Sequence, residues 1–150
     1  MTKSEVKKDV STVAIDYFQN GYHCAESIVA AVLGAMGEDS KEAVAHATAF
    51  GGGFGRSLGD ACGALSGALV AIGHLHGRRK PGDCWNLAAN LGAAIRDAFI
   101  ESYETTHCKT LKERFGEEQQ LAECQKLTGE LAQKLYDLLI KAQNEQEENK

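Results

Sequence analysis

The sequence contains a single proline, and it has few runs in which Val, Ile or Thr alternate with polar residues. Such alternation is typical of half-buried β-strands, so its scarcity argues against a sheet. Apolar residues recur instead three and four positions apart, which is the spacing of one face of an α-helix. The sequence therefore predicts an all-α fold, a single bundle of about six to seven helices.

Long apolar runs and an excess of positive charge are also missing. No segment reaches the roughly 18 apolar residues of a membrane span, and residues 1–9 do not resemble a secretory signal. Lys and Arg number 16 against 21 Asp and Glu, and the resulting net charge of −5 disfavours nucleic acid or an anionic membrane as partner. We expect one cytoplasmic domain over residues 1–150, with a frayed polar tail at its end, from residue 143 onward.

Caps and helix breakers predict where the helices begin and end. Helices are predicted over about residues 6–18, 23–36, 40–50, 61–74, 84–103 and 118–141. A further short helix, between the fifth of these and the last, is predicted to follow a threonine cap and to end at Phe115. That cap is Thr105 or Thr106, and Asp60 and Asp83 are the predicted N-caps of the fourth and fifth helices. The glycine run at 51–53 forces a break after the third helix.

The sequence has five cysteines but no Cys-x-x-Cys pair. A thioredoxin-type dithiol or a zinc ribbon made of two knuckles is therefore unsupported, and a shared site needs tertiary packing of several helices. Four cysteines lie where a helix is predicted to start: Cys24, Cys62, Cys84 and Cys108. The positive end of a helix and its free N–H groups stabilise a thiolate, so we expect the pKa of Cys62 to lie below the ordinary thiol value.

All five cysteines are followed by apolar residues three or four positions later, as Cys62 is by Leu65 and then Leu69. They are therefore predicted to face the core side of their helices, as is Leu121 at the start of the last helix. Because free cysteine is often a buried packing residue, this orientation does not separate functional cysteines from structural ones. In a reducing compartment the alternatives are metal ligands, reactive thiols and small core residues.

A combination of short motifs resembles one protein family. A cysteine opens the second predicted helix, Gly-Gly-Gly-Phe-Gly-Arg occupies residues 51–56, Cys-Gly-Ala-Leu-Ser-Gly follows at 62–67, and two further cysteines come later. In this order, Cys24, Cys62, Cys108 and Cys124 are similar to the four signature cysteines of the C_GCAxxG_C_C family of redox-active proteins. The resemblance covers most of the chain.

The resemblance implies a small helical protein whose four signature cysteines form one redox or iron–sulfur site. The leading hypothesis is an iron–sulfur cluster that is held by Cys24, Cys62, Cys108 and Cys124 and exchanges electrons with a redox partner protein. Two rivals stay open: a metal-free thiol–disulfide redox protein that uses two of the four, and a zinc-stabilised helical interaction module. Self-association into a homo-oligomer also stays open. Cys84 lies outside the family pattern and is interpreted as core packing.

Two glycines and two histidines lie next to the signature cysteines. Gly63 and Gly67 are four residues apart and leave a flat stripe on the fourth predicted helix, where a neighbouring backbone or a bound cluster could approach. His23 and His107 each precede a cysteine, and neighbouring helix positions diverge by about 100°. We therefore interpret these histidines as supporting or exposed residues rather than ligands.

Overall fold

The computed structural model describes residues 8–149, and within them the chain forms seven α-helices, one 3₁₀-helix and no strand. The helices are α1 (Val10–Gln19), α2 (Cys24–Ala35), α3 (Lys41–Ala47), α4 (Gly63–His76), α5 (Asn86–Tyr103), α6 (Cys108–Phe115) and α7 (Gln120–Glu148), and the 3₁₀-helix (Thr48–Phe50) directly follows α3. The predicted all-α fold is confirmed. The predicted start of the first helix at Val6 lies outside the described residues. None of these helices combines the length and the apolar character that a membrane crossing needs.

α2 lies at the centre of the bundle and packs against α1, α3, α4 and α7. It is buried on nearly all sides, as its composition of Ala, Ile, Val and Leu requires. Ile28 and Leu33 of α2 share the core with Phe99 of α5 and with Leu135 and Leu139 of α7, and all five side chains are fully buried. Burial of each such side chain stabilises the fold by about 1.5–3 kcal/mol, so α2 is a fixed frame for the residues at its ends.

α2 and α4 approach each other closely at Gly67. A Cβ atom at this position would lie 2.5 Å from the carbonyl oxygen of Ala25 and 2.8 Å from its Cα. Only glycine permits this approach, because the backbone of α2 fills the space of a side chain. The contact sets the first turns of the two helices side by side, with Cys24 next to Ala25 and Gly63 one turn before Gly67.

The chain between the 3₁₀-helix and α4 turns back through left-handed backbone. Six residues between positions 52 and 58 have positive φ, and three of them carry side chains that disfavour it: Phe54, Arg56 and Leu58. Each non-glycine residue in such a region costs about 1–3 kcal/mol, which the surrounding contacts must offset. One of these contacts is the hydrogen bond from the N–H of Leu58 to the carbonyl oxygen of Gly52, at 3.0 Å. The predicted break after the third helix is therefore a structured turn.

The predicted caps of α4 and α6 are wrong. Cys62, not Asp60, is the N-cap of α4, and the N-cap of α6 is His107, which follows the two predicted threonines. The physical reason is long-range pairing, because Ala61 forms an antiparallel bridge with His107. This bridge keeps both segments extended up to the first residue of each helix.

α5 also starts later than predicted. Its N-cap is Trp85, and the helix begins at Asn86. Asp83 does not cap it, because its carboxylate accepts a hydrogen bond from the backbone N–H of Arg79 at 3.0 Å. The turn before α5 is therefore closed by Asp83, and Cys84 falls outside the helix.

Two leucines that were predicted to face the core lie at the surface, and the last helix is longer than predicted. Leu69 of α4 is 45% exposed and Leu121 of α7 is 64% exposed. Leu121 lies in the first turn of α7, before this helix reaches the core at Leu127. α7 continues to Glu148 instead of ending near residue 141.

Candidate functional site

Cys62 and Cys108 are brought together by the antiparallel bridge between Ala61 and His107. The backbone N–H of Cys62 donates to the carbonyl oxygen of Thr106 at 2.7 Å, and that of Cys108 donates across the same bridge at 2.9 Å. Side chains alternate along extended backbone, so the two cysteines leave the bridge on one side while Ala61 and His107 leave it on the other. Both cysteines are buried.

Cys24 reaches the same place from the first turn of α2. Its Sγ lies so close to Gly63 that a Cβ atom there would overlap it, and that Cβ would also lie 3.0 Å from the carbonyl oxygen of Phe50. Gly53 has the same relation to Cys108, because a Cβ at Gly53 would lie 2.7 Å from the Cβ of Cys108. Each glycine thus leaves the space that one cysteine occupies.

Cys124 comes from the beginning of α7 and is half-buried. α7 packs against α6, the helix that starts with Cys108. Lys112 lies one turn after Cys108 on α6, and its positive charge lowers the pKa of both Cys108 and Cys124.

Electrostatic coupling joins all four cysteines. Burial is the largest influence on Cys62, Cys108 and Cys124, and it raises the pKa of each, that of Cys124 to about 11. A negative charge on Cys24 raises the pKa of all three further, and a charge on Cys108 does the same for Cys62 and Cys124. The charges of Cys24 and Cys108 thus act on both Cys62 and Cys124.

The expectation that the start of a helix lowers the pKa of Cys62 is wrong. The N–H groups of Ala64 and Leu65 at the start of α4 do act in that direction. Burial acts against them and is the larger effect, so the pKa of Cys62 is raised above the ordinary thiol value. The Cys62 thiol is thus protonated at neutral pH in the structure without a bound cofactor.

Cys84 stands apart from the other four. It is exposed, and its Sγ accepts a hydrogen bond from the backbone N–H of Asn86 at 3.5 Å. The interpretation of Cys84 as a core residue is therefore wrong. Its apolar spacing to Leu87 and Leu91 has no effect on its orientation, because α5 begins two residues after it.

The two neighbouring histidines occupy different positions. His23 is exposed and is the N-cap of α2, where its backbone N–H donates to Glu26 at 3.1 Å. His107 approaches the carbonyl oxygen of Gly59 with Nε2 at 3.0 Å, so Nε2 carries the proton. Its Nδ1 is buried and has no hydrogen-bond partner among residues 8–149. Since His107 leaves the bridge on the side away from Cys62, it supports the bridge rather than the sulfur atoms.

Sequence reasoning missed two residues of the site. Lys112 lies four positions after Cys108, and this helical spacing was a usable signal. Tyr103 gave no such signal. Its hydroxyl donates to the carboxylate of Glu130 at 2.9 Å. Burial raises its pKa above the ordinary tyrosine value, the hydrogen bond to Glu130 raises it further, and so does the charge of Cys62.

The donor set fits a thiolate-bound group in kind, because four cysteine sulfurs are the usual complement of an iron–sulfur cluster or a closed zinc site. In the part of the chain that the structure describes, no three or more His, Cys, Asp or Glu side chains are arranged closely enough to hold a metal ion. The signature cysteines therefore do not form a metal-binding geometry in this structure. Ligation would require them to move closer together.

All five cysteines are free thiols, and Cys24, Cys62 and Cys108 lie close together inside an all-α bundle. This arrangement defines a thiol-site protein, as distinct from a domain that disulfides hold together. The chain belongs to the C_GCAxxG_C_C family: the family model with the description "Putative redox-active protein (C_GCAxxG_C_C)" matches residues 22–138, which include all four signature cysteines. The predicted membership is confirmed. No curated protein and no solved structure matches the chain.

Proposed function

We propose that Cys24, Cys62, Cys108 and Cys124 hold one iron–sulfur cluster and that the protein carries electrons to or from a redox partner protein. The observation that supports this proposal is the proximity of Cys24, Cys62 and Cys108 where α2, α4 and α6 begin, together with the electrostatic influence of Cys24 and Cys108 on Cys124. Four thiolates are the ligand set that iron–sulfur clusters most often use, and such a cluster supplies reversible electron transfer when it is bound.

The charges around the site favour sulfur as a ligand over sulfur as a free nucleophile. A nucleophilic cysteine needs a lowered pKa. Burial instead raises the pKa of Cys62, Cys108 and Cys124. Coordination to a metal ion removes a thiol proton outright. Ligation would therefore stabilise the buried thiolates that burial alone disfavours. Lys112 and the starts of α2, α4 and α6 add positive potential.

Gly63 and Gly53 help to position two of the proposed cysteine ligands. A methyl group on Gly63 would displace the sulfur of Cys24, and one on Gly53 would displace Cys108. The two glycines therefore decide where two of the four sulfurs can lie. They are needed for the site even though neither can bind a metal.

The test is the metal and acid-labile sulfide content of protein that is prepared without oxygen. We expect iron and sulfide together with visible absorption in the native protein. Cys24→Ser, Cys62→Ser, Cys108→Ser and Cys124→Ser should each lose most of both, because an incomplete ligand set weakens binding strongly. Cys84→Ser is the matched control and should keep the cofactor.

Other outcomes identify the rivals. Stoichiometric zinc without sulfide would indicate the structural module. Protein without metal, in which two thiols are lost on oxidation and recovered with a reductant, would indicate thiol–disulfide chemistry. Equal iron content in all five serine variants would refute the assignment of the four cysteines.

A further inference from the structure

A cleft lies on the side of the bundle formed by α3, the 3₁₀-helix and the second half of α4. Its cavity volume is about 480 Å³, within the range of small-molecule sites. Ala43, His46 and Phe50 line one wall, and these positions repeat every three or four residues along α3 and the 3₁₀-helix. Val70 and His74 of α4 line the other wall. Two regular stripes therefore face each other across the cleft.

The floor and walls of the cleft are mainly apolar. Ala43 is buried, Phe50 and Val70 are half-buried, and Gly73 adds no side chain that would fill the space. A Cβ atom at Gly73 would meet nothing within 4 Å, so the cleft is open at that point. An apolar, flat molecular body is the chemistry that such walls accept.

Arg79 adds to this cleft a positive charge whose position is fixed by hydrogen bonds. Its guanidinium group donates to the carbonyl oxygen of His74 at 3.1 Å and to that of Gly77 at 3.1 Å, at the C-terminal end of α4. Its backbone is fixed by the hydrogen bond to Asp83. An arginine has five N–H donors, so this anchoring leaves donors for a ligand, and the fork geometry suits a carboxylate or a phosphate.

The two histidines complete the polar side of the cleft. His46 is exposed in the last turn of α3, and His74 is half-buried with its Nε2 3.8 Å from the carboxylate of Glu38. Neither Glu38 nor Glu42, which lies one turn before His46 on α3, lines the cavity. Two imidazoles and one guanidinium thus face the cavity, although the chain as a whole carries a net charge of −5.

We propose that this cleft binds a small organic anion, with its flat apolar body between the walls and its carboxylate or phosphate on Arg79 and the two histidines. The site is separate from the cysteines and does not depend on which cofactor they hold. Phe50 connects the two places, because it lines the cleft while its carbonyl oxygen lies against the Gly63 position beside Cys24. A ligand in the cleft would therefore lie on the outer side of the wall that borders the redox site.

In the experiment, each probe is titrated into protein that was prepared without oxygen. Binding is measured from the shifts of the amide NMR signals of Gly73 and His74. Three probes separate the two requirements: benzoate has the flat body and the charge, benzamide has the body alone, and acetate has the charge alone. We expect saturable shifts with benzoate. Benzamide lacks the charged hydrogen bond and acetate lacks the apolar contact, so each should bind at least about tenfold more weakly.

Two arginine variants test the anchor. Arg79→Gln should weaken benzoate binding by about tenfold or more, whereas Arg78→Gln, the adjacent arginine that does not line the cleft, should leave it within about twofold. If Arg79→Gln alters the free protein's signals along α4, His46→Gln on α3 replaces it and should weaken binding as well. Equal binding of benzamide and benzoate, absence of saturable shifts, or benzoate affinity that these variants leave unchanged would overturn the proposal.

Discussion

Replacement of Gly67 by alanine tests how closely α2 and α4 must pack. The new methyl group would lie 2.5 Å from the carbonyl oxygen of Ala25, where an ordinary carbon–oxygen contact is about 3.4 Å, so the helices must separate by nearly 1 Å. Ala25 opposes it with backbone atoms, which cannot rotate away as a flexible side chain could. Overpacking of this kind costs about 1–3 kcal/mol.

Alanine also favours a helix over glycine by about 1 kcal/mol, and this gain hides part of the steric cost. Gly73→Ala on the same helix is the matched control, because a Cβ there meets nothing within 4 Å. Its free energy of unfolding should rise by about 0.5–1 kcal/mol. The steric cost is then the difference between the two variants, about 1–3 kcal/mol, measured by urea unfolding monitored by circular dichroism. Equal stability of Gly67→Ala and Gly73→Ala would refute close packing at Gly67.

Three further predictions concern the cysteine site. Gly63→Ala should reduce bound iron by displacing the sulfur of Cys24 while the melting temperature falls only slightly; retention of iron, measured colorimetrically, would contradict this. In metal-free protein, burial raises the pKa of Cys124 to about 11 in the folded state, so the folded state holds this proton more tightly than the unfolded chain. Its contribution to stability is therefore present below the unfolded pKa of about 8.5 and is lost as the pH rises toward 11. Unfolding curves between neutral pH and the folded pKa should show that the free energy of unfolding falls less in Cys124→Ala than in the native protein. An equal fall in both would argue against burial of Cys124. Exposed Cys84 should react with iodoacetamide faster than Cys62 in the native protein, as peptide mass spectrometry of timed samples would show, and the reverse order would contradict the assigned burial.

The helical architecture was predictable because it follows from local spacing. α2 forms where its apolar pattern indicates, and the stripe of α7 from Leu127 onward is buried as its spacing predicts. The break at 51–53 was also visible, because consecutive glycines disfavour a helix. What the sequence could not show is the left-handed course of Phe54 and Arg56, which neither side chain favours and which only the packed structure maintains.

The sequence indicated candidate site residues but could not indicate the electrostatics around them. Motif order identified Cys62 and its three companions, whereas the effect of burial on the Cys62 pKa depends on tertiary packing. The core assignment of Cys84 failed for a related reason. A shift of two residues in the start of α5 moves it from a helix face to the surface, and helix starts are the least certain part of a pattern.

The antiparallel bridge between Ala61 and His107 has a consequence for synthesis of the chain. Cys24 and Cys62 are synthesised before residue 107, so neither the bridge nor the pairing of Cys62 with Cys108 can form until the later segment has been made. Cys124 follows later still. During translation the early thiols lack these later contacts and are open to oxidation, and all four signature cysteines are present only after nearly the whole chain has been made. A site that needs all four of these cysteines can therefore assemble only after translation.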